Sequence, residues 1–272
     1  MSRFFCWAAL SFCLLGQGQY ATLSGIVTDP SGALIPGVAI KLTNTATGEA
    51  WSATTNEAGL YQLPLLKPGT YQLDATHDGF KHAVRTGIVL ETGTPARLDL
   101  PLEVGAVGDS ISVDASVPLL QSETAAVGAV IQNDTIVNMP LINRRAAQLI
   151  RLSGFVSGGG SDVQFSIAGG RGNNNMWMID GGNAQNISLG TQTLNFDPPV
   201  EALQEFTVSV SNYAAELGRT GGGVVQMTTK SGTNQWHGSA YHYLRNDAFD
   251  ARGFFAADKP VLRYNLFGAS VG

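Results

Sequence analysis

The chain has 272 residues, 14% of them charged and 33 of them glycine, with a formal net charge of −5. Globular chains carry about 25% charged residues on average, so this composition suits a protein of strands and turns and excludes a helical bundle. Without a basic stripe, nucleic-acid binding and adsorption to an anionic membrane surface both lack an electrostatic footing.

Residues 1–21 read as an export signal. Arg3 precedes an apolar run from Phe4 to Leu15, and small and polar residues lead to Ala21. The run is too short to cross a bilayer as a helix, and no later stretch reaches the ~18 apolar residues such a helix needs. Phe12, where a lipoprotein signal needs a small residue before Cys13, argues against a lipid anchor. Cys6 and Cys13 both fall inside the signal, so the chain beyond it needs no disulfide and offers no thiol chemistry.

From 22 to 104 the pattern has period two. Val38, Ile40 and Leu42 alternate with polar neighbours, as do Tyr71, Leu73 and Ala75, and then Leu98, Leu100 and Leu102. The turn signals "DPSG" (29–32), "NEAG" (56–59) and "KPG" (67–69) separate the runs. Short strands at this spacing with one apolar face make a β-sandwich. The stretches "GIVTDPSGALIPGVAIKLTNTATG" and "TTNEAGLYQLPLLKPGTYQLDATHDGF" resemble a carboxypeptidase regulatory-like domain. That resemblance implies a non-catalytic accessory sandwich.

Residues 105–118, small and polar, read as a linker. The next segment, 119–230, mixes short helices and strands and is expected to be an α+β domain. Its best helix candidate has Asn143 as cap, Ala146, Leu149, Ile150 and Leu152 as apolar positions, and Gly154 as stop. Strands are expected at 163–168, 176–180, 205–210 and 223–230, and short helical turns at 199–204 and 213–217. In the last strand Val225, Met227 and Thr229 alternate with Gln226, Thr228 and Lys230. The tail, 231–272, is aromatic and reads as strand, loop (246–259) and strand.

The loop "AGGRGNNNMWMIDGGNAQN" (168–186) invites a chemical reading. A dinucleotide fingerprint needs a third glycine where Asn175 stands, and a helix where a strand follows. No helix N-terminus then points at a phosphate. Lys230-Ser231 follows Thr229, where a P-loop needs glycine. Asp180 ends an apolar strand ahead of a glycine turn, a place where a carboxylate accepts hydrogen bonds from its own turn more often than it catalyses. His77 and His82, and likewise His237 and His242, are five residues apart, which puts partners on opposite strand faces. No zinc-hydrolase or serine-hydrolase signature is present. Catalytic, cofactor and metal residues are therefore expected to be none.

"SIAGGRGNNNMWMIDGGN" and "VEALQEFTVSVSNYAAELGRTGGGVVQMTTKSGTNQWHGSAYHYLRND" resemble the plug domain of TonB-dependent outer-membrane receptors. Arg171-Gly172, Asp180-Gly181, Tyr213, Glu216, Gly218 and Gly221–Gly223 carry the match in order. A regulatory-like sandwich ahead of a plug resembles the Oar-like subgroup.

The resemblance implies a mainly β chain: a signal at 1–21, a sandwich at 22–104, a linker at 105–118, an α+β plug at 119–230, and from 231–272 the first strands of a β-barrel. It implies a fragment of a longer receptor, since a closed barrel needs at least eight strands. It also implies an outer-membrane location, lipid contact through the missing barrel, and an inner-membrane TonB-type energy-coupling complex as partner. No ligand is indicated. By position, Asp109, Ser110, Ile111, Ser112, Val113 and Asp114 within "DSISVDAS" are the candidate energy-coupling segment, which would pair with a partner's sheet edge; a plain linker is the alternative. Arg171 and Asp180 are expected as buried or wall-facing anchors. Asn173, Asn174 and Asn175 are expected to pack in the plug or to meet a ligand. A different class of function, a cell-envelope adhesion protein binding through its sandwich, is the competing reading.

Overall fold

The computed structural model describes residues 20–105, 110–114, 126–141, 143–157, 165–172, 174–186, 193–194, 196–213, 217 and 220–272. All but the last two residues of the expected export signal lie outside them. The described chain is mainly β.

The first layer contains β1 (Ala21–Thr28), β4 (Leu60–Leu66), β7 (Pro95–Arg97) and β8 (Leu100–Pro101); β1 pairs with β4 on one edge and with β7 and β8 on the other. The second runs β3-β2-β5-β6-β9, from β2 (Ala39–Asn44), β3 (Ala50–Thr54), β5 (Gly69–Thr76), β6 (His82–Leu90) and β9 (Ser110–Asp114). Between the layers lies most of the apolar set that the period-two reading singles out: Val38, Ile40, Leu42, Tyr71, Leu73, Ala75, Leu100 and Leu102 are buried, whereas Leu98 is only half-buried against them. Side-chain period equals strand period, so one face of each strand carries the core.

The turns form as their residues dictate. Asp29 Oδ1 accepts from Ser31 N and Ala33 N at 2.8 Å each. These bonds, with that from the Ser31 hydroxyl first among them, hold its carboxyl below the usual range. Asn56 Oδ1 likewise accepts from Ala58 N and Leu60 N. Gly59 sits at φ 63, and a Cβ there would stand 2.9 Å from the Val27 oxygen, so glycine meets both the left-handed backbone and the close approach. Tyr61 and Tyr71 are buried but keep partners for their hydroxyls, the carbonyls of Leu98 and Lys67 at 2.7 Å.

The second assembly is a mixed sheet of order β10-β17-β18-β13-β14. Its strands are β10 (Val127–Gln132), β13 (Met176–Ile179), β14 (Gly182–Asn183), β17 (Leu203–Ser211) and β18 (Val224–Thr229). Two small ribbons lie beside it, β11 (Val156–Ser157) with β12 (Ser166–Ile167) and β15 (Gln185–Asn186) with β16 (Thr193–Leu194). β13 and β18 are parallel, and the other neighbours are antiparallel. A short helix α1 (Asn133–Asn138), absent from the sequence reading, follows β10 directly.

The expected helix is present as a 3₁₀ helix, Ala146–Ser153, ended by Gly154 at φ 75. Asn143 is not its cap. Arg145 holds the capping position, and the Ala147 N–H is met by Asp197 Oδ1 from 50 residues away. Leu152, read as a core position, is exposed. The alternation expected in β18 is also corrected, because Val224 through Thr228 are all buried. A central strand covered on both faces loses its polar side. Gln226 and Thr228 are polar residues in that interior. The strand expected at 163–168 is Ser166–Ile167 among the described residues, and residues 163–164 lie outside them, as do 214–216 of the turn expected at 213–217.

Residues 231–272 form a separate compact unit. In it β19 (Gly238–Asn246) and β20 (Arg263–Val271) pair antiparallel along their whole length, from Gly238↔Val271 to Asn246↔Arg263. Tyr241 lies over Gly268, where a Cβ would meet its ring.

Candidate functional site

The glycine-rich loop is a closely packed crossing. Asn175 is 1% exposed. Its Nδ2 donates to the Phe165 and Gly172 carbonyls, and its Oδ1 accepts from Gly223 N at 3.3 Å. Asn174, exposed, accepts at its carbonyl from Gly222 N at 3.0 Å and from the Thr220 hydroxyl. A Cβ on Gly222 would stand 2.3 Å from Asn175 Oδ1, and one on Gly223 would stand 2.5 Å from Ile167 Cγ2. The glycine run therefore supplies space at a place where two segments and a buried amide meet. Tyr213 donates to the Gly222 carbonyl from the other side. Asn173, Glu216 and Gly218 lie outside the described residues.

Arg171 and Asp180 are exposed on this surface, so the expectation of burial is corrected. Asp180 also does not serve its own turn. At φ 47 it directs Oδ1 to Thr229 N at 2.8 Å and Oδ2 to the Thr229 hydroxyl at 2.7 Å. It thereby ties the end of β13 to the end of the parallel β18, where the ladder stops and its last donors need partners.

Two clusters of charge escaped the sequence reading. Arg144, buried and at φ 49, donates to Glu201 Oε1 at 2.6 and 2.9 Å and to the Val137 and Met139 carbonyls. Beside it Arg145 Nε donates to Asp197 Oδ2 at 2.9 Å. Burial raises the Asp197 carboxyl, and its bond from Arg145 offsets this in part. The signal was the doublet Arg144-Arg145 opening an apolar helix, with two carboxylates at 197 and 201.

The second cluster joins the sandwich to the mixed sheet. Glu205, 5% exposed, accepts from the buried Thr92 N at 3.1 and 3.2 Å and from the Thr207 hydroxyl at 2.9 Å. The Thr92 and Thr228 hydroxyls meet at 2.9 Å, and Gln132 Nε2 donates to Glu91 at 3.0 Å. Burial pushes the Glu205 carboxyl up, against the lowering effect of the Thr207 and Thr92 bonds. A cavity of about 470 Å³ beside this junction is lined by Glu91, Thr94, Ser209, Asn212, Tyr213 and Gln226 among others.

Within the expected linker, Ser110–Asp114 forms strand β9, parallel to β6 from His82↔Ser110 to Thr86↔Asp114. Asp109 lies outside the described residues. Among the described residues no three of His, Cys, Asp and Glu gather as a metal-binding group.

Residues 22–103 match the carboxypeptidase regulatory-like domain, and residues 228–272 match the outer membrane beta barrel domain. The chain is similar to the TonB-dependent transporter Oar of Myxococcus xanthus, 25% identical over 243 residues, which is 86% of this chain and 22% of that protein. It thus spans less than a quarter of that relative's length. The siderophore receptor PirA of Pseudomonas aeruginosa is 25% identical over 44% of this chain and 21% of its own, with a TM-score of 0.35. The outer membrane transporter YddB of Escherichia coli is 20% identical over 45% and 19%, with a TM-score of 0.38. The resemblance read from the motifs is borne out by the two domain matches and the similarity to Oar, and the barrel match gives the outer membrane as the chain's location.

Proposed function

We propose that the chain is the N-terminal part of a TonB-dependent outer-membrane receptor of the Oar type. Residues 1–21 direct export, 22–104 form a periplasmic accessory sandwich, 119–230 are the plug that gates energy-coupled uptake, and 231–272 begin the barrel that meets lipid. Residues 109–114, between sandwich and plug, are the segment that a TonB-type protein of the inner membrane engages by adding a strand. In the plug, the crossing at Asn174, Asn175 and Gly221–Gly223 keeps the gate compact, while Arg171 and Asp180 face the barrel wall.

One observation carries the reading. The two domain matches leave residues 104–227 between them, and similarity to a transporter over 86% of the chain has to cross that interval. Sandwich, mixed sheet and barrel start therefore belong to one architecture rather than to separate borrowed modules.

The test places a photo-crosslinking residue at Ile111 in the complete gene product and fractionates the cells after illumination. The expected result is outer-membrane recovery with a crosslink to the TonB-type protein, lost on deletion of 109–114. Recovery as a soluble periplasmic protein without that crosslink would favour the adhesion reading instead.

A further inference from the structure

The mixed sheet has two unlike faces at β17 and β18, and both are buried. Phe206 and Val208 of β17 and Val225 and Met227 of β18 belong to its apolar core. Alternating with them, Glu205 and Thr207 pair across the ladder with Thr228 and Gln226 and make the other face. All four are buried, yet they are residues of the kind that an antiparallel sheet turns toward water. A face that never leaves a core is ordinarily apolar.

The sandwich meets this polar face through one turn, residues 91–94, which carries the chain from β6 to β7 and is closed by Thr94 N donating to the Glu91 carbonyl at 3.3 Å. Thr92 N donates to both Glu205 oxygens, and the Thr92 hydroxyl meets that of Thr228. Gly93 lies over Gln226, whose Oε1 would stand 3.7 Å from a Cβ there. These contacts are polar, and water replaces such bonds at a modest net cost. The apolar core of the sandwich and that of the mixed sheet share no residue among those described. Beside the turn, the cavity of about 470 Å³ is lined by Thr94 and Pro95 from the sandwich and by Ser209 and Tyr213 from the other side, whereas a permanent interior holds few voids larger than a water molecule. A polar, incompletely packed junction between two separate cores has the character of an interface between domains that move relative to each other.

We propose that the polar face of the mixed sheet is a docking surface for the sandwich's turn 91–94, and that the turn leaves and returns as a unit while both apolar cores stay folded. The sandwich is thus a detachable cap. Its departure opens Glu205, Thr207, Gln226 and Thr228 to solvent, which accounts for their polarity in a place that is buried when the cap is on.

The experiment follows hydrogen exchange at constant pH on the chain, at the Thr92 amide and at the slowest amides of β5 and β17, in urea concentrations below the unfolding transition. Thr92 is expected to be protected, to exchange at least tenfold faster than the slow amides, and to depend more weakly on urea, because the opening exposes little surface. Glu205→Ala should speed exchange at Thr92 severalfold and leave the slow amides of β5 and β17 unchanged. Thr92→Cys with Thr228→Cys, in a Cys6→Ser, Cys13→Ser background, replaces two hydroxyls 2.9 Å apart. Oxidation of that chain should slow the residue 92 amide to the rate of the slow amides, and reduction should reverse it. Exchange of Thr92 in the unaltered chain at the same rate and urea slope as β5 and β17 overturns the proposal, since the junction then belongs to one cooperative core. A Glu205→Ala chain in which β5 and β17 loosen as much as Thr92 overturns it on the same ground. An unprotected Thr92 amide overturns the docking itself, and both measurements on the unaltered chain stand even if the double-cysteine variant fails to fold.

Discussion

Asn175 and Glu205 each put a polar side chain where an apolar one would be ordinary, and for each the hydrogen-bond partners set the consequence of changing it. Asn175→Ala leaves the Phe165 carbonyl and the Gly223 N–H without their buried partner, at roughly 1–3 kcal/mol for each orphaned group. Asn174→Ala, on the exposed side of the same loop, should cost about 0.5 kcal/mol or less, and urea unfolding of the two variants measures the difference. Glu205 links residue chemistry to pH. Its carboxyl is raised in the folded state above its unfolded value of 4.5. Its stabilising contribution is therefore full below about 4.5 and is lost as pH rises through the raised folded value. Asp197, raised above the ordinary value of 3.8, acts with the same sign. Asp29, lowered and exposed, acts with the opposite sign and loses its contribution as pH falls through its depressed value. The urea midpoint of the chain should gain a contribution from Glu205 as pH is lowered from neutral toward 4.5, and Glu205→Gln should flatten that trend. A difference between the two chains that does not change with pH over this range would contradict this.

The elements of the mixed sheet are held at their ends by side chains from distant positions more than by local caps. The 3₁₀ helix Ala146–Ser153 draws its N-terminal acceptor from Asp197, and Arg144 stitches the end of α1 to Glu201. An ion pair this buried recovers its desolvation cost only while both partners remain. Arg144→Met should therefore destabilise by roughly 3–5 kcal/mol, because it strands the Glu201 carboxylate. The double change Arg144→Met with Glu201→Met should recover most of that loss, and a double-mutant cycle in denaturant decides it. At the glycine crossing the limit is volume. Gly223→Ala drives a methyl into Ile167 and the Ser209 carbonyl, an overpacking cost of roughly 1–3 kcal/mol. Both changes are expected to leave the sandwich turns at Asp29 and Asn56 untouched.

Across the whole molecule, exposure is concentrated in the C-terminal unit. Trp236, just before β19, is 91% exposed, Phe255, in the loop between the strands, 96%, and Phe267 on β20 75%, and among the described strands β19 and β20 pair only with each other. Large aromatic groups on an unpaired ribbon are an association surface in water and a lipid- or neighbour-facing surface in a barrel. The purified chain is expected to associate with increasing concentration in sedimentation velocity. Phe267→Glu with Val271→Glu should shift it toward monomer without altering the thermal transition of residues 20–230. A chain that stays monomeric at high concentration with a protease-resistant tail would refute the expectation.

The sandwich was legible from sequence because local rules suffice there. Strand period, Asx-type turns and Gly59 state the fold one residue after another, and the buried set is the alternating set. The same holds for the hairpin of β19 and β20, the stop at Gly154, and the order of motifs that carries the resemblance to TonB-dependent receptors. Period two failed at β18, since a strand covered on both faces has no solvent side to mark. Asn143 as cap failed because a carboxylate 50 residues away along the chain serves the helix. The exposure of Arg171 and Asp180, the Thr229 partner of Asp180, the Glu205 clip to Thr92, and the docking of Ser110–Asp114 on β6 all depend on which segments meet in space. Periodicity records only what a residue's neighbours in sequence do, whereas these contacts join groups 49 to 113 residues apart or segments separated by a chain reversal, and the tertiary structure alone decides them.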